Sequence, residues 1–149
     1  MDLQRFVDAQ TPVIDAVMAE LEAGEKRTHW MWFIFPQLKS LGRSSTAKYY
    51  GIDSVDEARA YFAQPVLGGR LKACAQAVLT HHHKSANAIF GSPDDLKFRS
   101  SMTLFSIAAP EEPLFRQVLE RFFEGLADPL TVASCGNIDE SASSRISPR

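Results

Sequence analysis

Cysteine is scarce in this sequence: Cys74 and Cys135 are its two thiols, and no Cys-x-x-Cys occurs. A disulfide framework or a thiolate zinc knuckle needs more, so two reduced thiols point to the cytoplasm. No apolar run approaches the roughly 20 residues that cross a bilayer. The opening Met1-Asp2-Leu3-Gln4-Arg5 lacks the basic-then-apolar order of a secretory leader. Charge of one sign is missing too. Lys and Arg number 16 against 18 Asp and Glu, a formal net charge of -2, whereas a general grip on nucleic acid wants a basic face.

Chemical motifs are equally sparse. There is no Walker loop, no G-x-G-x-x-G, no H-E-x-x-H and no G-x-S-x-G. Nucleoside triphosphate hydrolysis and nucleophile-elbow serine chemistry therefore lose their main support. His81-His82-His83 suggests a metal tract, but consecutive residues on a helix end point to different sides and cannot converge on one ion. Their cations suit the carboxyl end of a helix dipole instead. Cys74 sits in an apolar helical pattern without a neighbouring histidine, which argues against a nucleophile. No metal and no cofactor is expected.

What is present is enough for one domain. The chain has 149 residues, 45% of them hydrophobic and 23% charged, which suffices for a core without staples. Asp2 can cap a first turn, and Thr11-Pro12 restarts a helix with Val13, Ile14, Val17, Met18 and Leu21 on one face as far as Gly24. Ser54-Val-Asp-Glu57 is a capping box for a helix to about Ala63, and Pro65 opens another with Leu67, Leu71, Cys74 and Val78 inward. Ser92-Pro-Asp-Asp95 starts a helix to about Ala109, and a last one runs from residue 112 or 113 to 124. The spacing predicts a mainly α fold, a single compact domain of about five to seven helices over residues 1–133. One short hairpin or irregular segment falls around residues 29–52. Residues 134–149 hold five serines and no periodic apolar face, which predicts a loose or disordered tail.

The densest chemical information lies in Thr28-His-Trp-Met-Trp-Phe-Ile-Phe-Pro36-Gln37. Its faces are all apolar, so it should run through the core, with His29 at its polar edge. Either Trp30 and Trp32 pack there, or their indoles form a stacking wall for a flat ligand with His29 as donor or general acid. On the helix that follows Pro93, Asp95, Arg99 and Thr103 recur at i, i+4 and i+8 and share one face. An exposed Asp95–Arg99 pair would contribute only ~0.3–0.5 kcal/mol. Facing a cleft, Asp95 becomes a candidate acid/base and Arg99 a phosphate or carboxylate clamp. The loop of residues 37–53 adds Ser44, Lys48, Tyr49 and Tyr50 as binding candidates. Two adjacent tyrosines cannot share a direction, so one ring should pack while the other faces water or ligand.

Several blocks, residues 3–6, 28–37, 41–44, 50–52, 57–61, 65–71, 89–91 and 95–105, resemble a bacterial family catalogued as domain of unknown function 1810. That resemblance covers most of residues 1–130 and implies a small, mainly helical cytosolic domain, with no established activity attached. The chain is also similar, at the level of a loose pattern, to the NADAR-type N-glycosidases, whose substrates carry ADP-ribose or a related ribosyl phosphate. The similarity lies in a charged helix bearing Arg99 and Met102, followed by a helix ending near Leu130-Thr131. It implies Asp95 as acid/base, Arg99 as phosphate contact, and Trp30, Trp32 or Tyr49 as base platform, with His29 beside them. Three functional expectations follow. The first is a metal-free N-glycosidase-like enzyme acting on a ribosylated base or nucleotide. The second is a non-catalytic module that binds a small molecule or protein through an aromatic cleft. The third is a helical domain whose features serve packing alone. A nucleotide-like small molecule is the expected partner, and the oligomeric state is left open.

Overall fold

The structure is a computed structural model that describes residues 2–143, with side chains described through Gly136. Ten α-helices and one 3₁₀ turn succeed one another, with no strand among the described residues. Helix α1 (Gln4–Gln10) starts where Asp2 Oδ1 accepts the Gln4 N–H at 3.1 Å, and α2 (Ile14–Ala23) follows the Thr11-Pro12 break. Helix α5 (Val55–Ala63) opens on the expected capping box. Ser54 Oγ accepts the Glu57 N–H at 3.1 Å, while the Glu57 carboxylate reaches back one residue past the N-cap, to the Asp53 N–H at 3.0 Å. Helix α6 (Pro65–Leu79) begins on its proline, with Gln64 capping the Leu67 N–H at 2.7 Å. The corner between them is tight. A Cβ on Gly68 would stand 2.1 Å from the Phe62 carbonyl oxygen, so any side chain there would push α6 off α5.

More helices form than the sequence pattern predicts, because three are only one turn long: α3 (Met31–Ile34), α4 (Ser45–Tyr49) and α7 (Ala86–Phe90). Periodicity has too few residues to register in such turns. The 29–52 stretch takes its irregular form, not a hairpin. Pro36 bars Phe35 from continuing α3 (φ -121°, ψ 72°), and the 3₁₀ turn Lys39–Leu41 follows. One isolated parallel bridge joins Leu38 to Ile52, with Lys39 N–H donating to the Ile52 carbonyl at 2.8 Å and Ile52 N–H to the Gln37 carbonyl at 2.9 Å. Gly51 makes this closure feasible, since a Cβ there would meet the Lys39 Cα at 2.4 Å.

Helix α8 (Asp94–Ala108) is the axis of the molecule. It packs against α3, α5, α7, α9 (Leu114–Phe123) and α10 (Pro129–Ser143), which is why its buried residues cover almost every side. Phe98 stacks on Phe90 at 4.5 Å between centroids and meets Phe35 edge-on at 4.8 Å. Hydroxyls survive on this enclosed helix because Ser100 and Thr103 donate to carbonyls one turn earlier, Leu96 at 3.1 Å and Arg99 at 2.8 Å. Helix α10 continues across the boundary expected at residue 134, with Thr131 and Cys135 buried, and residues 144–149 of the expected tail lie outside the described residues. No helix among the described residues is long and apolar enough to cross a membrane.

Candidate functional site

The aromatic run is held in place by one carboxylate. Glu20, on α2, accepts four hydrogen bonds: the backbone N–H groups of Arg27 (2.6 Å) and Thr28 (2.9 Å), the Thr28 hydroxyl (2.6 Å), and the Trp30 indole N–H (3.1 Å). Burial pushes this carboxyl up, but the four donors outweigh it and hold the group at about 2. Trp30 is thereby fixed at 1% exposure, inside the core and out of reach of a ligand. His29, one residue earlier, is exposed and makes no hydrogen bond or ion pair among the described residues.

Trp32 lies on the other side of α3. It is half-buried and lines a small cavity with Met31, Phe35, Gln37, Ala47, Tyr50 and Lys97, with space of about 10 Å³, room for roughly one water. Lys97 Nζ stands 5.6 Å from the Trp32 ring centroid. Asp94, in the first turn of α8, holds Lys97 at 3.6 Å through one oxygen and Lys26 at 3.0 Å through the other. Lys26 in turn sits 5.1 Å from the Trp30 ring centroid.

Gln37, Ala47 and Lys97 also border a second, much larger concavity of about 840 Å³. That volume falls in the usual range for small-molecule sites, about 300–1,000 Å³. Its walls come from three distant stretches of chain. The loop between the Leu38–Ile52 bridge supplies Ser40, Leu41, Gly42, Arg43, Ser44 and Ala47; the start of α8 supplies Pro93, Leu96, Lys97 and Ser100; the start of α10 supplies Asp128 and Leu130. Ser44 caps α4, accepting the Ala47 N–H at 3.0 Å, so its own hydroxyl proton points elsewhere. Asp128 caps α10: its Oδ2 accepts the Thr131 N–H at 2.9 Å and hydroxyl at 2.6 Å. Arg43 is exposed and makes no hydrogen bond or ion pair among the described residues.

The other expected site residues scatter. Asp95 accepts from Asn87 Nδ2 at 3.3 Å and from the Leu96 N–H at 2.9 Å, and it forms no ion pair with Arg99. Arg99 instead donates to the Leu126 and Ala127 carbonyls at 2.7 and 2.8 Å, and the Thr103 hydroxyl accepts the Asp128 N–H at 2.9 Å. Arg99 and Thr103 therefore anchor the α9–α10 connection, Asp95 stays with α7, and none of the three lines the large groove. Lys48 and Tyr49 border a separate polar cleft of about 390 Å³ with Asp2, Arg5, Lys39, Gly51, Asp53 and Glu57. Arg5 clasps the back of that loop, donating to the carbonyls of Asp2, Tyr49 (2.9 Å) and Gly51 (3.0 Å). The two tyrosines divide as expected: Tyr49 is 59% exposed, while Tyr50 packs 5.3 Å from the Phe33 ring. Of the residues picked from sequence, the large groove gathers Ser44 alone, and the small cavity gathers Trp32 and Tyr50. Arg43, Lys97, Leu96, Asp128 and Leu130 went unselected. An Asp94-to-Lys97 spacing of three was the one local signal that Lys97 would be held in place.

No group of His, Cys, Asp and Glu among the described residues is placed to hold a metal ion. No curated protein matches the sequence. Among solved structures, the conserved hypothetical protein Rv1873 from Mycobacterium tuberculosis is similar at 49% identity and a TM-score of 0.89, over 91% of this chain and 96% of that one. Residues 1–135 match the family described as protein of unknown function (DUF1810), and the chain belongs to that family.

Proposed function

We propose that this protein is a ligand-binding module whose site is the groove between the 39–51 loop, the start of α8 and the start of α10. The observation that carries this reading is the groove itself: a concavity of about 840 Å³ lined by apolar side chains, three serines and two cations. Trp32 and Tyr50 line the adjoining small cavity, which shares Lys97 with the groove, and are not part of the groove lining. A thermal-shift screen of nucleotides, ADP-ribose derivatives and other metabolites tests the reading, because a ligand at ~100 times its dissociation constant stabilises by about 2.7 kcal/mol. Leu96→Trp supplies the control: the position is 57% exposed, so the fold should persist while the new ring fills the groove. A stabilising compound whose effect survives Leu96→Trp binds somewhere else.

A hydrolytic reading persists on one observation. Asp128 borders the groove and spends only Oδ2 on Thr131, leaving Oδ1 without a hydrogen-bond partner among the described residues. N-glycosidic cleavage of a ribosylated base would then use Asp128 where Asp95 was expected. Release of free base by the wild type, abolished in Asp128→Asn, is the outcome this reading requires. Absence of release across nucleotides and ADP-ribosylated bases removes it.

A further inference from the structure

Leu96 and Leu130 are 57% and 65% exposed, and both border the large groove. Exposed aliphatic side chains gathered at the edge of a concavity offer apolar surface that a ligand with an apolar body can cover. Charge at the same groove is uneven. Arg43 has no partner among the described residues, and Lys97 shares the single carboxylate of Asp94 with Lys26. Asp128, the one carboxylate on the groove wall, is engaged at Oδ2 by Thr131. Two cations thus face one partly engaged anion. The Ser44 hydroxyl accepts from Ala47 and keeps its proton to donate, which adds a neutral donor on the same loop as Arg43.

Resting on the binding reading above, we propose that the ligand is an amphipathic organic oxyanion. Its apolar body covers Leu41, Leu96 and Leu130, and its phosphate or carboxylate sits between Arg43 and Lys97. The two cations are prepared differently. Lys97 is held in advance by Asp94 and the Trp32 ring, and acts as a fixed point charge. Arg43 is free in solvent on its loop and closes on the oxyanion as a planar fork.

Four probes separate the parts of this inference: hexyl phosphate, hexanoate, hexanol and inorganic phosphate, titrated into the full chain by calorimetry. Hexyl phosphate or hexanoate should bind saturably, and which of the two is tighter identifies the head group. Hexanol and inorganic phosphate, each lacking one half, should bind at least tenfold more weakly. Arg43→Ala and Lys97→Met, folded by circular dichroism, should each weaken the anion roughly tenfold, the scale of one lost charge-assisted hydrogen bond. Hexanol binding as tightly as the anions, yet blocked by Leu96→Trp, overturns the oxyanion site and leaves the groove as a neutral pocket. Inorganic phosphate binding as tightly as hexyl phosphate overturns the apolar half. Failure of all four probes overturns the ligand class, whereas a metabolite hit blocked by Leu96→Trp would still uphold the groove. A dimer in sedimentation that Leu96→Trp dissolves replaces the small ligand with a second copy of the chain.

Discussion

Two tryptophan–lysine pairs share one aspartate, and they end in opposite environments. Lys26 lies over Trp30 and Lys97 over Trp32, and Asp94 gives one carboxylate oxygen to each lysine. In the first pair every polar atom is spoken for: Lys26 also donates to the Thr28 carbonyl at 2.7 Å, and the Trp30 indole to Glu20. In the second pair Lys97 has donors to spare and borders both cavities. The same residue types are structural where their valences are filled and available for binding where they are not. Composition alone could not have separated the two.

The largest break in this comparison comes from the indoles. Trp30→Ala should cost ~3–5 kcal/mol, the range for deleting a buried aromatic, and Trp32→Ala clearly less because its ring is only half-buried. Urea denaturation of both variants checks the order, and equal losses would erase the distinction. Asp94→Asn strikes both pairs at once and should cost about 1.5–3 kcal/mol, the scale of hydrogen bonds to charged groups. A double-mutant cycle with Lys26→Met should assign most of that loss to the enclosed pair; a larger coupling to Lys97→Met would reverse the assignment.

Acid sharpens the comparison further. Glu20 is held at about 2 against an ordinary 4.5, so its stabilisation is complete above pH 4.5 and disappears as pH falls toward 2. Melting temperatures of Glu20→Gln should be lower at neutral pH and fall less steeply than the wild type across that window. An unchanged acid limb would place the titration on other carboxylates. The smallest effect belongs to the far end of α10. Removing residues 137–149 keeps Thr131 and Cys135, and should move the melting temperature by no more than a few degrees, about 1 kcal/mol at this size. Loss of cooperative unfolding on that deletion would reject the domain boundary placed at 133.

Local grammar was legible in the sequence; distant meeting points were not. Ser54, Glu57 and Pro65 announce α5 and α6 because a cap acts within four residues. The Asp95, Arg99, Thr103 stripe was likewise visible, but the partners of Arg99 and Thr103 lie on another segment, at the Leu126 and Ala127 carbonyls and the Asp128 N–H, which no local spacing announces. His29 looked coupled to its tryptophans through adjacency, yet successive residues leave the backbone in different directions, and it ends in solvent. The groove escaped for a third reason. Its walls come from the 39–51 loop, α8 and α10, and no periodicity links Arg43 to Leu96 or Leu130. Cys135 and Thr131 are buried within a helix that shows no apolar repeat, since its contacts are set by α8 and not by its own pattern.

The clasp at Leu38 and Ile52 bears on how this surface can diversify. Gly51 against Lys39, and Arg5 on the Tyr49 and Gly51 carbonyls, fasten both ends of the loop that carries Arg43 and Ser44. The closure entropy of a fastened loop rises only with the logarithm of its length, and doubling it costs about 0.6 kcal/mol. Insertions between Gly42 and Ser44, ahead of the α4 cap, would therefore reshape the groove rim while the helices keep their packing. On that frame the rim would act as an exchangeable cassette, and grafting new loops there is a direct test of the proposed binding groove.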